Sequence, residues 1–453
     1  MIPRMITKLF PSFIPFFMMK KLFYTLVFAI LSVFGLASCS EEAVDVDAVN
    51  KQTVFLFFPW TGNSSSQGLY DFLKHNLDSV SNGIIDKKGL SNTRVLFFLS
   101  KSATKSTLYD MQYDEASKTV SANIIREYEG APYATAEGFA SLLNDVKSNA
   151  EALNYALIIG SHGCGWTYAS DWTDYPRNAK PYTGAFGFDT QSHLDTQSLL
   201  PSTSNFSGIQ FGDDPNLPLT RFFGSVSSAE HAMDVSTLAE GIKQSGMKMQ
   251  YILFDACYMC NVETAYELKD VTNYVLGSGS EILAIGVPYR SIWSYLNSAT
   301  PNYSSIVSGI VNFYKNSKSP YCNFSAIDCR ELGDLASIMK SINKEVTLDP
   351  SIELDSIQSL DGFVPRLLYD FNVYVDSLHP DAVLKDRFTS QLKKVVKAEA
   401  HTDSAITSLS LEGNQSSKYP IKTYCGLTIS DPSQHPVAVR GREKTAWWKA
   451  THE

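Results

Sequence analysis

An imidazole and a thiol stand at the ends of two apolar runs of this chain, 95 residues apart. Residues 155–160 lead through Ser161 into His162-Gly163-Cys164-Gly165-Trp166, and residues 249–255 lead through Ala256 into Cys257. A thiolate attacks carbonyl carbon, and a neighbouring imidazole can take the thiol proton and return it to a leaving amine. Gly163 carries no Cβ, so its N–H can approach a substrate oxygen and form an oxyanion hole with the N–H of Cys257. Asp255 lies two residues before the thiol, on the same side of an extended strand. A buried carboxylate there would favour a guanidinium or ammonium group on the substrate. All of this requires the two runs to lie side by side in a parallel sheet, with both ends at one edge.

The surrounding pattern predicts such a sheet. Residues 53–58 and 93–99 read as buried strands, and 68–80 carries helical spacing at Leu69, Phe72, Leu73 and Leu77. Residues 108–113 and 119–125 flank the turn-forming 114–118 and read as a hairpin. Helices are predicted at 135–146, 235–242 and 262–268, with a strand at 273–277. Strand–helix alternation with continuously apolar strands predicts an α/β, three-layer αβα sandwich around a largely parallel central sheet. The long loop 166–226, rich in Ser, Thr, Asp, Tyr, Pro and Gly, interrupts this rhythm between the two reactive ends. Beyond residue 300 the chain turns mostly helical, at 304–314, 332–346, 364–378 and 382–398, with strand-like runs at 406–411 and 424–430. The organisation expected is a catalytic domain over 51–300 and a C-terminal region, 301–453, packed on it. Neither an internal repeat nor a Gly-rich phosphate loop is present.

Composition narrows the function further. The 453 residues are 44% hydrophobic and 12% aromatic, as in an ordinary globular protein. The first 38 residues hold Arg4, Lys8, Lys20 and Lys21 and no acid, so the net charge of −9 becomes about −13 for the rest. Such a body excludes nucleic acid as a partner and suits cationic peptides. Lys20-Lys21 followed by apolar residues 22–36 reads as a signal peptide over 1–38, with a start at Met18 or Met19 placing the charged pair at its head. Leu36-Ala37-Ser38-Cys39 has the form of a bacterial lipobox, which makes Cys39 the expected lipidation site and 39–50 an acidic tether. The run is short for a membrane span. The expected location is a lipid-anchored protein of a bacterial membrane, in the outer membrane facing the periplasm or the cell surface.

With these residues in view, the chain resembles the clostripain family of cysteine peptidases, which shares the caspase-like fold. That family pairs a strand ending in His-Gly-x-Gly-Trp with one ending in Asp-x-Cys, here His162 to Trp166 and Asp255 to Cys257. The resemblance continues through residues 274–278, Gly286, Pro288-Tyr289, 325–328, 426–429 and Trp447. It implies Cys257 as nucleophile, His162 as general base, and an S1 pocket for Arg or Lys containing Asp255. Ser278 and Glu281 are the further S1 candidates, although 279–284 departs from the family's acidic and Pro-Gly pattern, and Cys164 is unusual beside the His. Family members can be cut in the loop after the His, which makes Arg177, Lys180 and Arg221 candidate self-cleavage points. Calcium is used by some members. The resemblance alone carries it, because no compact calcium loop is present and no cofactor is required by the chemistry.

Two other readings compete. His162, Cys164, Cys257 and Cys260 are four soft ligands that could form a structural zinc site. A zinc deaminase would need Glu where Cys164 stands. Alternatively, the lipobox and 23 tyrosines suit a non-catalytic surface-binding lipoprotein. Cys257-x-x-Cys260 lacks a thioredoxin-like setting. His193 and His231 read as solvated residues in or beside the loop, and Cys322 and Cys329 as core thiols or a local disulfide. Cys260 reads as a packing residue, and Asn261 as the N-cap of a helix three residues before Thr264.

Overall fold

The computed structural model describes residues 49–62, 68–173, 229–407 and 417–453. The expected signal peptide, Cys39, Arg177, Lys180, His193 and Arg221 lie outside the described residues. Strands β1 (Gln52–Phe58), β2 (Thr93–Ser102), β3 (Lys105–Asp114), β4 (Thr119–Glu129), β5 (Asn154–Gly160), β6 (Met249–Asp255), β7 (Tyr274–Gly277) and β8 (Asn323–Asp328) follow in chain order. Beyond them come β9 (Tyr369–Asp370) and β10 (Val396–His401). One nine-stranded sheet runs β10-β8-β7-β6-β5-β1-β2-β3-β4. The central strands β7-β6-β5-β1-β2 are parallel, and antiparallel strands close both flanks.

Alternation along each central strand splits the core in two. Val54, Leu56 and Phe58 of β1 point to one face with Ile158 and Leu253, under the helices Tyr70–Asp86, Tyr289–Leu296 and Tyr303–Lys315. Phe55 and Phe57 point to the other with Ile159 and Phe254, under helices Ala136–Asn149, Val235–Gln244, Val262–Leu268 and Leu332–Glu345. The result is the caspase-like αβα sandwich. The hairpin appears as β3 and β4, and Thr135 caps its helix by accepting from the Gly138 N–H at 3.1 Å.

Several elements of the C-terminal region differ from their expected bounds. The region supplies β8 and β10 to the sheet itself, within one compact unit spanning Val49–Glu453. The helix from Ala382 ends at Val395, and the next residues pair antiparallel with β8 as the sheet edge. The helix expected over 364–378 covers only Phe371–Ser377. Before it, the chain wraps round the Asp361 carboxylate, which accepts N–H groups from Phe363, Leu367 and Leu368 at 2.6–3.0 Å. Pro365 has no N–H to give a helix. Tyr369–Asp370 then pairs with Thr428–Ile429, the only paired part of the strand expected at 424–430.

Candidate active site

Register brings the two reactive ends together. Strands β5 and β6 pair in parallel with Gly160 opposite Asp255, and the Ser161 N–H donates to the Asp255 carbonyl at 3.3 Å. The chain beyond each strand therefore leaves at the same edge. His162, Gly163, Asp255, Cys257 and Glu281 all line one cavity there, closed by Leu73, Asn76 and residues 282–284. After the thiol the backbone reverses: Tyr258 adopts φ 62°, and the Tyr258 and Cys260 N–H groups donate to the Ser280 and Ser278 carbonyls. Asn261 then caps the helix Val262–Leu268, its side chain accepting from the Thr264 N–H at 2.7 Å.

Segments far along the chain brace this turn. The Trp166 indole donates to Ser430 Oγ at 2.7 Å, and the Ser430 N–H donates to Glu263 at 2.7 Å. The Thr428 N–H donates to the Cys260 carbonyl. The loop 163–165 passes so close to 256–258 that a Cβ on Gly163 would lie 2.3 Å from the Cys257 carbonyl oxygen, among Met259 and Ala256. Gly163→Ala should therefore lower stability by about 2–3 kcal/mol through forced backbone movement. Denaturant unfolding of the variant against the parent measures this, and an unchanged midpoint would contradict the packing described.

Asp255 is buried at the cavity's base. Its Oδ2 accepts from the Tyr289 hydroxyl at 2.9 Å and from Asn76 Nδ2 at 3.3 Å. Burial outweighs these bonds and pushes its carboxyl up to about 6. Burial also pushes the Cys257 thiol well above its ordinary range, helped by the Glu281 carboxylate and opposed by the Ile282 N–H. Sγ receives that N–H at 3.4 Å and donates to the Ile282 carbonyl at 3.6 Å. The thiol is thus neutral and covered by Ile282. The cavity holds about 30 Å³, space for a water or two and far less than an arginyl side chain needs.

The other candidates sort unevenly. Glu281 borders the cavity, but its Oε1 accepts from the Tyr258 hydroxyl at 2.6 Å and from Thr407 Oγ1 at 2.7 Å. Ser278 is set apart from the cavity wall: fully buried at the end of β7, it accepts from the Ser280 N–H and donates to Asn323. The zinc set is not assembled. Cys260 Sγ meets Ser325 Oγ at 2.9 Å, while Cys257 Sγ meets Ile282. Among the described residues no group of three His, Cys, Asp or Glu side chains is placed to hold a metal ion. Cys322 and Cys329 are buried free thiols at the two ends of β8. His231 is not solvated as expected but buried against Trp60, its Nε2 at 2.8 Å from the Ala103 carbonyl oxygen.

Asn76, Tyr289 and Ile282 were not singled out in the sequence as site residues. Asn76 sits among Leu73, Leu77 and Val80 on the buried face of its helix, and a lone amide on an apolar stripe is a signal that could have found it. Tyr289 lies in the Pro288-Tyr289 stretch of the family resemblance and Ile282 directly follows Glu281, a proximity that could have found both.

Two parallel strands that deliver an imidazole and a thiol to one cavity of a caspase-like sandwich define a cysteine-type peptidase. The clostripain family model matches residues 211–415. A secreted C11 cysteine protease from Bacteroides thetaiotaomicron, iotapain, is 34% identical over 89% of this chain and 99% of its own, with a TM-score of 0.73. This chain belongs to the clostripain, or C11, family of cysteine peptidases. An inactive zymogen C11 protease from Parabacteroides distasonis has the same fold at 22% identity and TM-score 0.68, covering 89% of this chain and 99% of that one. A secreted C11 protease from B. thetaiotaomicron, solved with an irreversible peptide inhibitor, has it at 18% identity and 0.65 over the same shares. No curated protein matches.

Proposed function

We propose that this protein is an endopeptidase that cleaves after Arg or Lys by a His162–Cys257 dyad. His162 takes the proton from Sγ, and the thiolate attacks the carbonyl carbon after the basic residue. The N–H groups of Gly163 and Cys257 receive the oxyanion. His162 passes the proton to the amine as the C–N bond breaks, leaving a thioester. Water, deprotonated by His162, then hydrolyses the thioester and frees the thiol. Asp255 at the base of the cavity receives the cationic P1 side chain, for which residues 281–284 must swing away from Sγ.

The observation that carries this reading is the Gly160–Asp255 register, which sets His162, Cys257 and a buried carboxylate around one cavity. The test is labelling by a peptide acyloxymethyl ketone with Arg at P1. Wild type should take one label per chain, and Cys257→Ala none. Labelling that persists in the variant would sink the assignment. Self-cleavage at Arg177, Lys180 or Arg221 belongs to the same proposal. Intact mass of active enzyme showing only the uncut chain would remove it. Secretion of iotapain and the lipobox at Cys39 support an extracellular or surface location, reached through signal peptide 1–38, tether 39–50 and a lipid on Cys39. The helices of the described residues include none long and apolar enough to cross a membrane.

A further inference from the structure

A large hollow lies beside the catalytic cavity, and the chemistry above does not use it. It is a groove of about 820 Å³ between the helices Tyr289–Leu296 and Tyr303–Lys315, in the size range of peptide and small-ligand sites. Gly309 explains the trough. A Cβ there would lie 2.6 Å from Ile292, so the helices cross closely at that point, and Ser305 and Ser308 leave the rim open. The walls are Leu283, Ile285, Tyr295 and Phe313, with Lys318 the one charged side chain in the lining. Tyr295 and Phe313 are each 38% exposed, although their elements bury most of their apolar residues. Leu283 lines the groove and the catalytic cavity alike, and its neighbour Ile282 touches the thiol.

We propose that this groove is a subsite for a large apolar side chain of the substrate polypeptide, two to five residues from the scissile bond. The inference rests on the peptidase reading above and adds a specificity determinant to it. Continuity names the occupant: Leu283 borders both hollows, so a chain bound at Cys257 that runs on past Leu283 enters the groove. The apolar walls at Leu283, Ile285, Tyr295 and Phe313 favour Leu, Phe or Met in the trough, with Lys318 and the serine and asparagine side chains completing its lining. A neighbouring hollow of about 400 Å³ shares Ile285 and Phe313 but contains the Asp86–Arg290 ion pair, which suits a charged group instead.

The test compares quenched-fluorescence decapeptides containing one Arg and either Leu or Ser at each position from P5 to P5′, beside a short Arg-only amide substrate. At one position, wild type should favour Leu over Ser by about tenfold in kcat/KM, the discrimination a hydrophobic pocket gives. Phe313→Ser, and separately Tyr295→Ser, should reduce that preference to about twofold or less while leaving the short substrate unchanged. The short substrate reports whether each variant folds. Equal preference in variant and wild type, or equal loss on short and long substrates, would overturn the inference. So would a groove that instead holds a second copy, seen as a wild-type dimer lost in Phe313→Ser. If wild type cut neither substrate, the peptidase reading would fail first.

Discussion

Cys257→Ala should remove peptidase activity, a loss of at least about 10⁴-fold in kcat, because the proposed mechanism forms its thioester on the Cys257 sulfur. His162→Ala should cost nearly as much. Burial and then the Glu281 carboxylate push the Cys257 thiol away from ionisation, and its Sγ is bonded to the Ile282 backbone. A thiol so held depends on an adjacent base at the moment of attack. The double variant should therefore be no slower than either single one, since residues acting as one unit do not contribute independently. Fold is not at stake. Ala256 and Tyr258 on either side are buried, while Cys257 itself is partly exposed and bonded only through its sulfur. Thermal unfolding of Cys257→Ala should shift by no more than about 1 kcal/mol. A variant that unfolds, or that retains more than a thousandth of the activity, would place the nucleophile elsewhere.

Asp255→Asn should separate specificity from stability. For substrates with Arg at P1, kcat/KM should fall by about 10²–10³, the scale of losing one partner of a buried charge pair. A citrulline substrate, isosteric but uncharged, should lose far less. Stability should move the opposite way. The folded carboxyl sits at about 6 against an ordinary 3.8, so the folded state holds its proton more tightly than the unfolded chain does. The stability this confers is present below pH 4 and lost as pH rises to 6, by about 3 kcal/mol. Asparagine does not ionise and can still accept from Tyr289. Variant and wild type should therefore unfold alike near pH 4, and the variant should be the more stable at pH 7 and above. Denaturant melts of both proteins at pH 4, 5.5 and 7.5 give the difference directly. Asp361 and Asp431, each near 7, and Glu263, near 8, impose the same sign on both proteins and cancel in that difference. A gap independent of pH would mean that Asp255 is already ionised below pH 4.

What could be read from the residues follows from where their energy lies. Strand β6 was legible residue for residue, because the apolar run Tyr251-Ile-Leu-Phe254 at its centre reads as a buried strand. Strand β10 was not. Its sequence, Val-Lys-Ala-Glu-Ala-His, continues the helical composition before it, and only pairing with β8 at the sheet edge makes it a strand. The turn around Asp361 was hidden for a similar reason, since one carboxylate organises it through three backbone donors that no periodicity announces. In the site, His162, Cys257 and Asp255 could be found because each ends or immediately follows a strand. Ser278 entered through the family resemblance, and its hydroxyl bonds with the Ser280 N–H and Asn323. Asn76 and Tyr289 reach Asp255 from sequence separations of 179 and 34 residues, which only the folded layers bring to contact.

The braces on the catalytic turn also bear on when a newly made chain becomes dangerous to its maker. Trp166, just past the histidine, and Glu263, just past the thiol, both depend on Ser430, and β10 forms only from residues 396–401. Nearly the whole polypeptide must therefore leave the ribosome before the two reactive ends are held in place. A growing chain, though it already carries both His162 and Cys257, has no assembled site with which to cut its neighbours.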